Sequence, residues 1–200
     1  MKILFLDFET TGFPTGDALD NPNQPHIVSQ ALRLRQDDGI LLDAYMPVQA
    51  PRESDQGALD VHGLSKAFLD ENGIAALFAA RFLYLAWTRA DLVVSHNINF
   101  DSNIAQICFA RHALLPSDDV GPAFFCTMLK ARELMKQHKM SCNLGSAIQH
   151  FLDEEPKIGH HHALDDRDAT ERLFDYFSNI GETPWKPNEE AVLSRNHDGQ

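Results

Sequence analysis

Ile3 to Phe8 is a run of large apolar residues broken only by Asp7, the pattern of a strand buried on both faces and therefore central in a sheet. The stretch Thr11 to Pro25, full of Gly, Pro, Asn and Asp, predicts a long loop. His26 to Arg35 and Ile40 to Val48 then predict two strands joined by the tight turn Gln36-Asp37-Asp38-Gly39, whose Asp-Gly pair offers positive-φ geometry. From Ser65 the periodicity becomes helical, first to Glu71 and then over Ile74 to Arg89, where Leu77, Phe78, Arg81, Phe82 and Leu85 recur at helical spacing. Leu92 to Ser95 predicts a buried strand, Asp101 to Ala113 a helix closed near Pro116, and Ala123 to Cys126 a short strand feeding a helix from Thr127 to about Gln137. Leu144 to Phe151 and Ala163 to Phe177 supply two more helices. Three adjacent antiparallel strands followed by alternating strands and helices imply an α/β domain with a mixed sheet. The polar, Pro-containing segment after Gly181 divides the chain into a domain over 1–180 and a tail over 181–200, either mobile or a peripheral clasp.

Charge narrows the picture. Lys and Arg total 17 against 29 acidic residues, a formal charge of −12, which argues against a protein that coats long duplexes by charge alone. An enzyme gripping a chain end through cations needs few phosphate contacts, so nucleic acid stays in view. The three cysteines, Cys108, Cys126 and Cys142, are widely spaced and cannot all pair within the chain, so a reducing compartment and small core roles are expected. Met1 to Phe8 is too short for a signal peptide and no apolar stretch is long enough to span a bilayer, so a soluble cytoplasmic protein with no membrane partner is the expectation.

Asp7 and Glu9 lie two apart, so on a strand both side chains point to one face. Adjacent carboxylates repel unless a cation or a proton lies between them. Acids at a strand end can simply face water, but that explains neither the apolar lead-in nor the matching acids elsewhere. Asp101 stands just after the strand ending at Ser95, at the carboxyl edge of the sheet where α/β proteins place ligands; a helix cap is its bland role. Asp165, Asp166 and Asp168 lie on the last helix behind His160, His161 and His162, and spacing alone does not select the ligand among them. Three consecutive histidines cannot easily converge on one transition metal, and carboxylate-rich surroundings favour hard Mg²⁺ or Mn²⁺ over Zn²⁺. Phe100, Phe124 and Phe125 read as core residues, and the basic stretch Lys130, Arg132, Lys136, His138 and Lys139 as a solvated helix face or a path for a single strand.

The segments Asp7-Phe8-Glu9-Thr10-Thr11-Gly12, His96-Asn97-Ile98-Asn99-Phe100-Asp101 and His161-His162-Ala163-Leu164-Asp165-Asp166 resemble the three motifs of the DnaQ-like DEDDh 3′-5′ exonucleases. His62-Gly63-Leu64 resembles that family's short His-Gly element, and the likeness runs from about Ile3 to Phe177. It implies a ribonuclease H-like fold with a central five-stranded mixed sheet flanked by helices. It implies Asp7, Glu9, Asp101 and Asp166 as ligands of two Mg²⁺ or Mn²⁺ ions, with Asp7 bridging, Glu9 and Asp166 on the nucleophile side and Asp101 supporting the second ion. His161 becomes the general base for the attacking water, a task suited to an imidazole of ordinary pKa about 6.5, and His162 its neighbour. Thr10, Thr11, Gly12 and Phe13 would border the terminal nucleotide, with His62, His96 and Asn97 near its sugar and phosphate. Gly12 would permit close approach, and Phe13 would stack on a base or anchor its own loop.

The activity so implied is release of nucleoside 5′-monophosphates from single-stranded 3′ ends of DNA, in proofreading or repair. Trimming of RNA ends or short oligoribonucleotides is the alternative within enzymes, and a noncatalytic scaffold of a polymerase or repair complex the alternative outside them. Clustered carboxylates give a pure scaffold no benefit. Processive work would require a partner such as a polymerase, for which the acidic 12–25 loop and the C-terminal tail are candidate contacts. Oligomeric state stays open, dimers being common among the RNA-specific relatives.

Overall fold

The computed structural model describes residues 1–37, 39–114, 121–136, 142–155 and 161–184. Five strands, β1 (Lys2–Thr10), β2 (Ile27–Gln36), β3 (Gly39–Pro47), β4 (Leu92–Ser95) and β5 (Ala123–Cys126), form one sheet in the order β3-β2-β1-β4-β5. β3, β2 and β1 are mutually antiparallel, while β4 runs parallel to β1 and β5 parallel to β4. The helices are α1 (Gln56–His62), α2 (Lys66–Asn72), α3 (Ala76–Trp87), α4 (Ile98–Arg111), α5 (Thr127–Leu134), α6 (Leu144–Leu152) and α7 (Ala163–Asn179). This is the α/β architecture with a five-stranded mixed sheet that the sequence implies. None of the helices among the described residues is long and apolar enough to cross a membrane.

β1 is central and sandwiched, which explains its unbroken apolar run. Leu4, Leu6 and Phe8 point to one side and pack with Ala80, Leu83 and Trp87 of α3 and Ile104, Ala105 and Phe109 of α4. Ile3 and Phe5 point to the other side, against Leu92, Val94 and Phe174 of α7. Alternation therefore carries Asp7 and Glu9 onto the α7 side. A second apolar cluster, with Ala131, Ala147, Ile148, Leu173 and Phe177, joins α5, α6 and α7.

Across β2 and β3 the α7 side is charged. Arg167 of α7 is fully buried, donating to the Leu32 carbonyl (3.1 Å), to Asp43 (2.6 Å) and to Asp168 (2.5 Å). Arg33 bonds Asp43 and Glu171, each at 2.6 Å, and Arg35 bonds Glu171 (3.0 Å) and Asp175 (2.6 Å). These pairs fix α7 in register on the antiparallel half of the sheet.

Several expectations need correction. Helix α3 starts at Ala76, because Ile74 is held in a parallel bridge to Val48. Its buried face is Ala79, Ala80, Leu83, Ala86 and Trp87, while Leu77, Phe78 and Leu85 point outward; the alanines let the helix approach the sheet more closely than the larger stripe would. Helix α4 starts at Ile98, three residues ahead of Asp101. Helix α1, with a Gly in its first turn and one buried residue, carries no periodicity that announces it. In the hairpin, positive φ falls at Asp37, while Gly39 pairs with Gln36 as a strand residue. Phe124 is half exposed on the edge strand, whereas Phe125 packs edge-to-face on Phe174 at 5.2 Å. All three cysteines are free, Cys108 and Cys142 buried and Cys126 partly so. Lys130 is paired with Glu133 (2.8 Å) and Glu182 (3.2 Å), so the chain just past 180 is clasped to α5. Pro116, Gln137, His138, Lys139, His160 and the tail over 185–200 lie outside the described residues.

Removing the guanidinium of Arg167 leaves Asp43 and Asp168 with Arg33 as their remaining cation. Because both carboxylates keep some solvent contact, Arg167→Ala is expected to cost about 2–4 kcal/mol, toward the lower end for a broken buried pair. Arg167→Met should cost less by filling the same space; urea unfolding of the two variants checks both the loss and its order.

Candidate active site

Strand β1 delivers Asp7 and Glu9 at its carboxyl end, where the ladder with β2 shifts register between Glu9 and Thr10. The parallel strand β4 ends at the same edge and feeds α4, whose first turn carries Asp101, 3% exposed. Asp101 is not the helix cap; Asn97 holds that position without a side-chain capping bond. The Ser95 hydroxyl and the backbone N–H groups of Phe8 and Asp101 lie near enough to the Asp101 carboxylate to favour its charged form, so it faces back onto β1. Asp166 enters from the first turn of α7. His161, just before that helix, bonds its own N–H to the Val61 carbonyl (2.9 Å) and sets Nδ1 3.2 Å from Asp166 Oδ2. Ligand atoms of Glu9, His161 and Asp166 all lie within 4.8 Å of one another.

Electrostatics show that these acids are strained by their own company. Burial raises Asp7 well above the usual carboxylate range, and the charges of Asp101, Asp166 and Glu9 raise it further. Burial, then Asp166, pushes Glu9 up to about 7, with His161 opposing. Burial pushes Asp101 up to about 7 against its hydrogen bonds. His161 is raised from 6.5, chiefly by its bond to Asp166. Two or more negative charges desolvated at one point require protons or cations, and hard oxygen donors with one imidazole fit Mg²⁺ or Mn²⁺. Asp165, like Asp7 and Asp101, lies outside the group of three whose ligand atoms converge within 4.8 Å, but Asp165 is not among the charges that raise Asp7, Glu9 or His161.

The other expected residues divide. Thr10 and Thr11 are buried and shape the turn after β1: the Thr10 hydroxyl donates to the Gly12 carbonyl (2.7 Å), and Thr11 Oγ1 accepts from the His26 N–H (3.0 Å). At Gly12, with φ +158°, a Cβ would lie 2.4 Å from Asp55 Oδ2, so here the close neighbour is the start of α1. Phe13 is 83% exposed and touches Phe100 edge-to-face at 6.0 Å, a ring presented to solvent beside the site. His62 is buried with Nδ1 accepting from the Leu64 N–H (2.9 Å), which puts its proton on Nε2. His96 spends both ring nitrogens within the protein, Nδ1 on Thr127 Oγ1 (3.0 Å) and Nε2 on the Cys142 carbonyl (2.9 Å), clamping β4 to α5 and α6. Asn97 is exposed at the start of α4.

One residue beside the site has no motif to mark it. Tyr45 lies on the Asp7 row of the sheet through Ala31, and its ring packs on His162 at 4.6 Å. Burial raises the pKa of its hydroxyl, and Glu9 lies near enough to raise it further, with Ser29 opposing. His162 is thus a packing partner of β3, which leaves His161, with 63% of its side chain exposed, as the imidazole facing solvent. The strand register read from the hairpin would have placed Tyr45 on this face.

No family model matches the chain, and no curated protein matches it in sequence. Solved structures do. The zinc-bound complex of E. coli exonuclease I with single-stranded DNA superposes with a TM-score of 0.67 at 17% identity, covering 90% of this chain and 44% of that one. Apo exonuclease I gives 0.67 at 14% identity over 89% of this chain and 42% of its own. This chain therefore spans less than half the length of the exonuclease I structures it matches. Exonuclease X in complex with 5′-overhanging duplex DNA gives 0.60 at 23% identity, covering 92% of this chain and 95% of that one. At these identities the likeness establishes a shared fold, the α/β architecture with a five-stranded mixed sheet described above.

Asp101 offers a direct test of the crowded charges. A carboxyl raised to about 7 when folded favours the native state below its ordinary value near 3.8 and loses that contribution as pH rises through 7. In EDTA at pH 8, Asp101→Asn should therefore melt above the wild type by several degrees, roughly 1–3 kcal/mol, with the difference vanishing near pH 4. Mg²⁺ or Mn²⁺ should raise the wild-type melting temperature at pH 8 and much less that of the variant. A variant that melts lower at pH 8 in EDTA would show that the buried Asp101 charge carries no such cost.

Proposed function

We propose that the protein is a cytoplasmic metal-dependent 3′-5′ exonuclease that hydrolyses terminal phosphodiester bonds of single-stranded DNA and releases nucleoside 5′-monophosphates. The observation that carries this reading is the gathering of Asp7, Glu9, Asp101 and Asp166 with His161 at one sheet edge, three of the acids raised by burial and two of these, Asp7 and Glu9, raised further by repulsion. The folds of exonuclease I and exonuclease X, and the DNA named in their complexes, support it.

Asp7, Glu9, Asp101 and Asp166 would hold two Mg²⁺ or Mn²⁺ ions. Bound there, such ions supply Lewis-acid polarisation and neutralise charge on the phosphoryl group. His161 binds Asp166 through Nδ1, which donates to the carboxylate and leaves Nε2 as the basic atom. Nε2 takes a proton from the attacking water as its oxygen bonds phosphorus; the P–O3′ bond breaks, and the departing 3′-oxygen takes a proton from solvent to leave the shortened strand with a 3′-hydroxyl. Asp166 steadies the imidazolium that forms. The exposed ring of Phe13 offers the terminal base a stacking surface, and Thr10, Thr11 and Gly12 form the wall behind it. Asn97, exposed beside the first turn of α4, and the Nε2–H of His62 are the groups we assign to the terminal sugar and phosphate.

Digestion of matched single-stranded DNA, duplex DNA and RNA oligonucleotides, 3′-labelled and 5′-labelled, tests the reading. Stepwise loss of 5′-mononucleotides from the 3′ end with Mg²⁺ or Mn²⁺, none in EDTA, none by Asp7→Ala, and a loss of about 10²–10⁴ in rate for His161→Ala are expected. Preference for RNA would move the substrate to RNA trimming, and no digestion of any substrate by folded, metal-supplied protein would leave a scaffold role. Phe13→Ala should weaken single-strand binding by about 1–3 kcal/mol while leaving the melting temperature unchanged, read by fluorescence anisotropy.

A further inference from the structure

The loop over 12–25 ends in a cluster of positive charge that nothing in the catalytic cleft uses. Arg111, the last residue of α4, donates from Nη1 to the Pro25 carbonyl and from Nη2 to the Gln24 carbonyl, each at 2.9 Å. Arg52, which precedes α1, donates from Nη2 to the Asn23 carbonyl (2.9 Å) and to the same Gln24 carbonyl (3.3 Å). Two guanidinium groups thus converge on one oxygen. His26 and His112 border the pair, and both imidazoles are held below their usual value by burial and then by Arg111, His26 at about 4.

Arg33, Arg35, Arg167 and Arg172 are each paired with carboxylates. Among the described residues Arg52 and Arg111 make no such pair, and neither does Arg89, which bonds the Leu85 carbonyl of its own helix; only Arg52 and Arg111 bring two guanidinium groups onto a shared acceptor. Backbone carbonyls satisfy some of the donors but cancel neither charge. Arg52 is exposed, and its Nε and Nη1 make no hydrogen bond among the described residues, which leaves a donor edge and uncompensated charge toward solvent. Two converging positive charges with a free donor edge suit an anion.

Position selects which anion. His26 and Thr11 are tied by two hydrogen bonds, Thr11 N–H to the His26 carbonyl (2.9 Å) and His26 N–H to Thr11 Oγ1 (3.0 Å), so the cluster is continuous with the turn after Glu9. From Asp101 to Arg111 is about 15 Å along α4. That separation is too large for the cleaved bond and suits a phosphate several nucleotides away. We propose that Arg52 and Arg111 form a backbone-phosphate site that holds the nucleic-acid strand several nucleotides from the end being cleaved. The choice of ligand rests on the exonuclease reading. The 12–25 loop is then a wall between two contacts on one strand, anchored by the same arginines that meet the phosphate.

The test measures binding in EDTA, where no cleavage occurs, by anisotropy of labelled oligo-dT of about four and about sixteen nucleotides over a range of salt. Arg52→Ala should weaken the longer oligonucleotide about 3–10-fold, reduce its salt slope by about one, and leave the shorter unchanged. Arg52→Glu should weaken it further, and Arg52→Lys should keep the slope. Melting temperatures equal to the wild type keep these readings separate from loss of fold. Unchanged binding in Arg52→Ala and Arg52→Glu, equal loss for both lengths, or a Lys variant no better than Ala would overturn the proposal. So would stabilisation by inorganic phosphate that depends on Arg52 while oligonucleotide binding does not, since the site would then serve a free anion. Arg52-dependent binding by a protein that digests nothing would leave this site standing and remove the exonuclease.

Discussion

The placement of Arg167 governs whether this molecule has a site at all. Its guanidinium is fully buried between α7 and the β2–β3 half of the sheet, where it bonds Leu32, Asp43 and Asp168, and Arg33 and Arg35 extend the same contact to Glu171 and Asp175. A purely aliphatic helix face tolerates sliding along a sheet far better than one tied by directional ion pairs. One turn of slip is 5.4 Å. That is more than the 4.8 Å within which Asp166, His161 and Glu9 present their ligand atoms, so the site survives only if the register of α7 is fixed. Desolvating three arginines makes this an expensive means of stabilisation. Its return is position: Asp166 is the residue before Arg167, and fixing one fixes the other.

The acids themselves work against the fold. Asp7 and Glu9 come from the central strand, Asp101 from the first turn of α4 and Asp166 from α7, and each is placed by backbone that has its own reasons to be there. Packing of Leu4, Leu6 and Phe8 on one side and Ile3 and Phe5 on the other holds β1 against the repulsion that its terminal carboxylates create. Raised acids at about 7 mean that near neutrality the metal-free protein balances between protonating the cluster and enduring it. A bound cation would relieve that conflict and draw on Asp166 and Glu9, the two carboxylates that raise His161, which would lower the imidazole's hold on its proton. The structural cost and the chemical capability are one arrangement.

Much of this was legible in the sequence because the decisive signals are local. The apolar run before Asp7 can only be a buried strand, the Asp7/Glu9 spacing fixes a common face, and His161 precedes α7 by two residues, which left the geometry little freedom. What was not legible depends on partners distant in the chain. The large stripe Leu77, Phe78 and Leu85 reads as the core face of α3, yet the alanines of the opposite face pack more closely on the sheet and win. His96 reads as a substrate contact from its motif position but is consumed by Thr127 and the Cys142 carbonyl, neither of which its own neighbourhood predicts. Tyr45 and Arg167 carry no motif; only the register of β1, β2 and β3 places them.

A formal charge of −12 is an average over surfaces of opposite character. On the proposed exonuclease reading, the carboxylates at the sheet edge would repel a polyanion until cations are bound, which would couple affinity for a strand at that point to the ions needed for cleavage. Arg52 and Arg111, about 15 Å of helix from Asp101, would attract the same polyanion whether or not the cleft is loaded. A strand held there would present its end to the acids, while the overall negative charge discourages long duplexes from coating the rest of the surface. Selectivity for ends would then need no base-reading groups. It would follow from one attractive point beside a cleft that becomes attractive only when it is competent to cut.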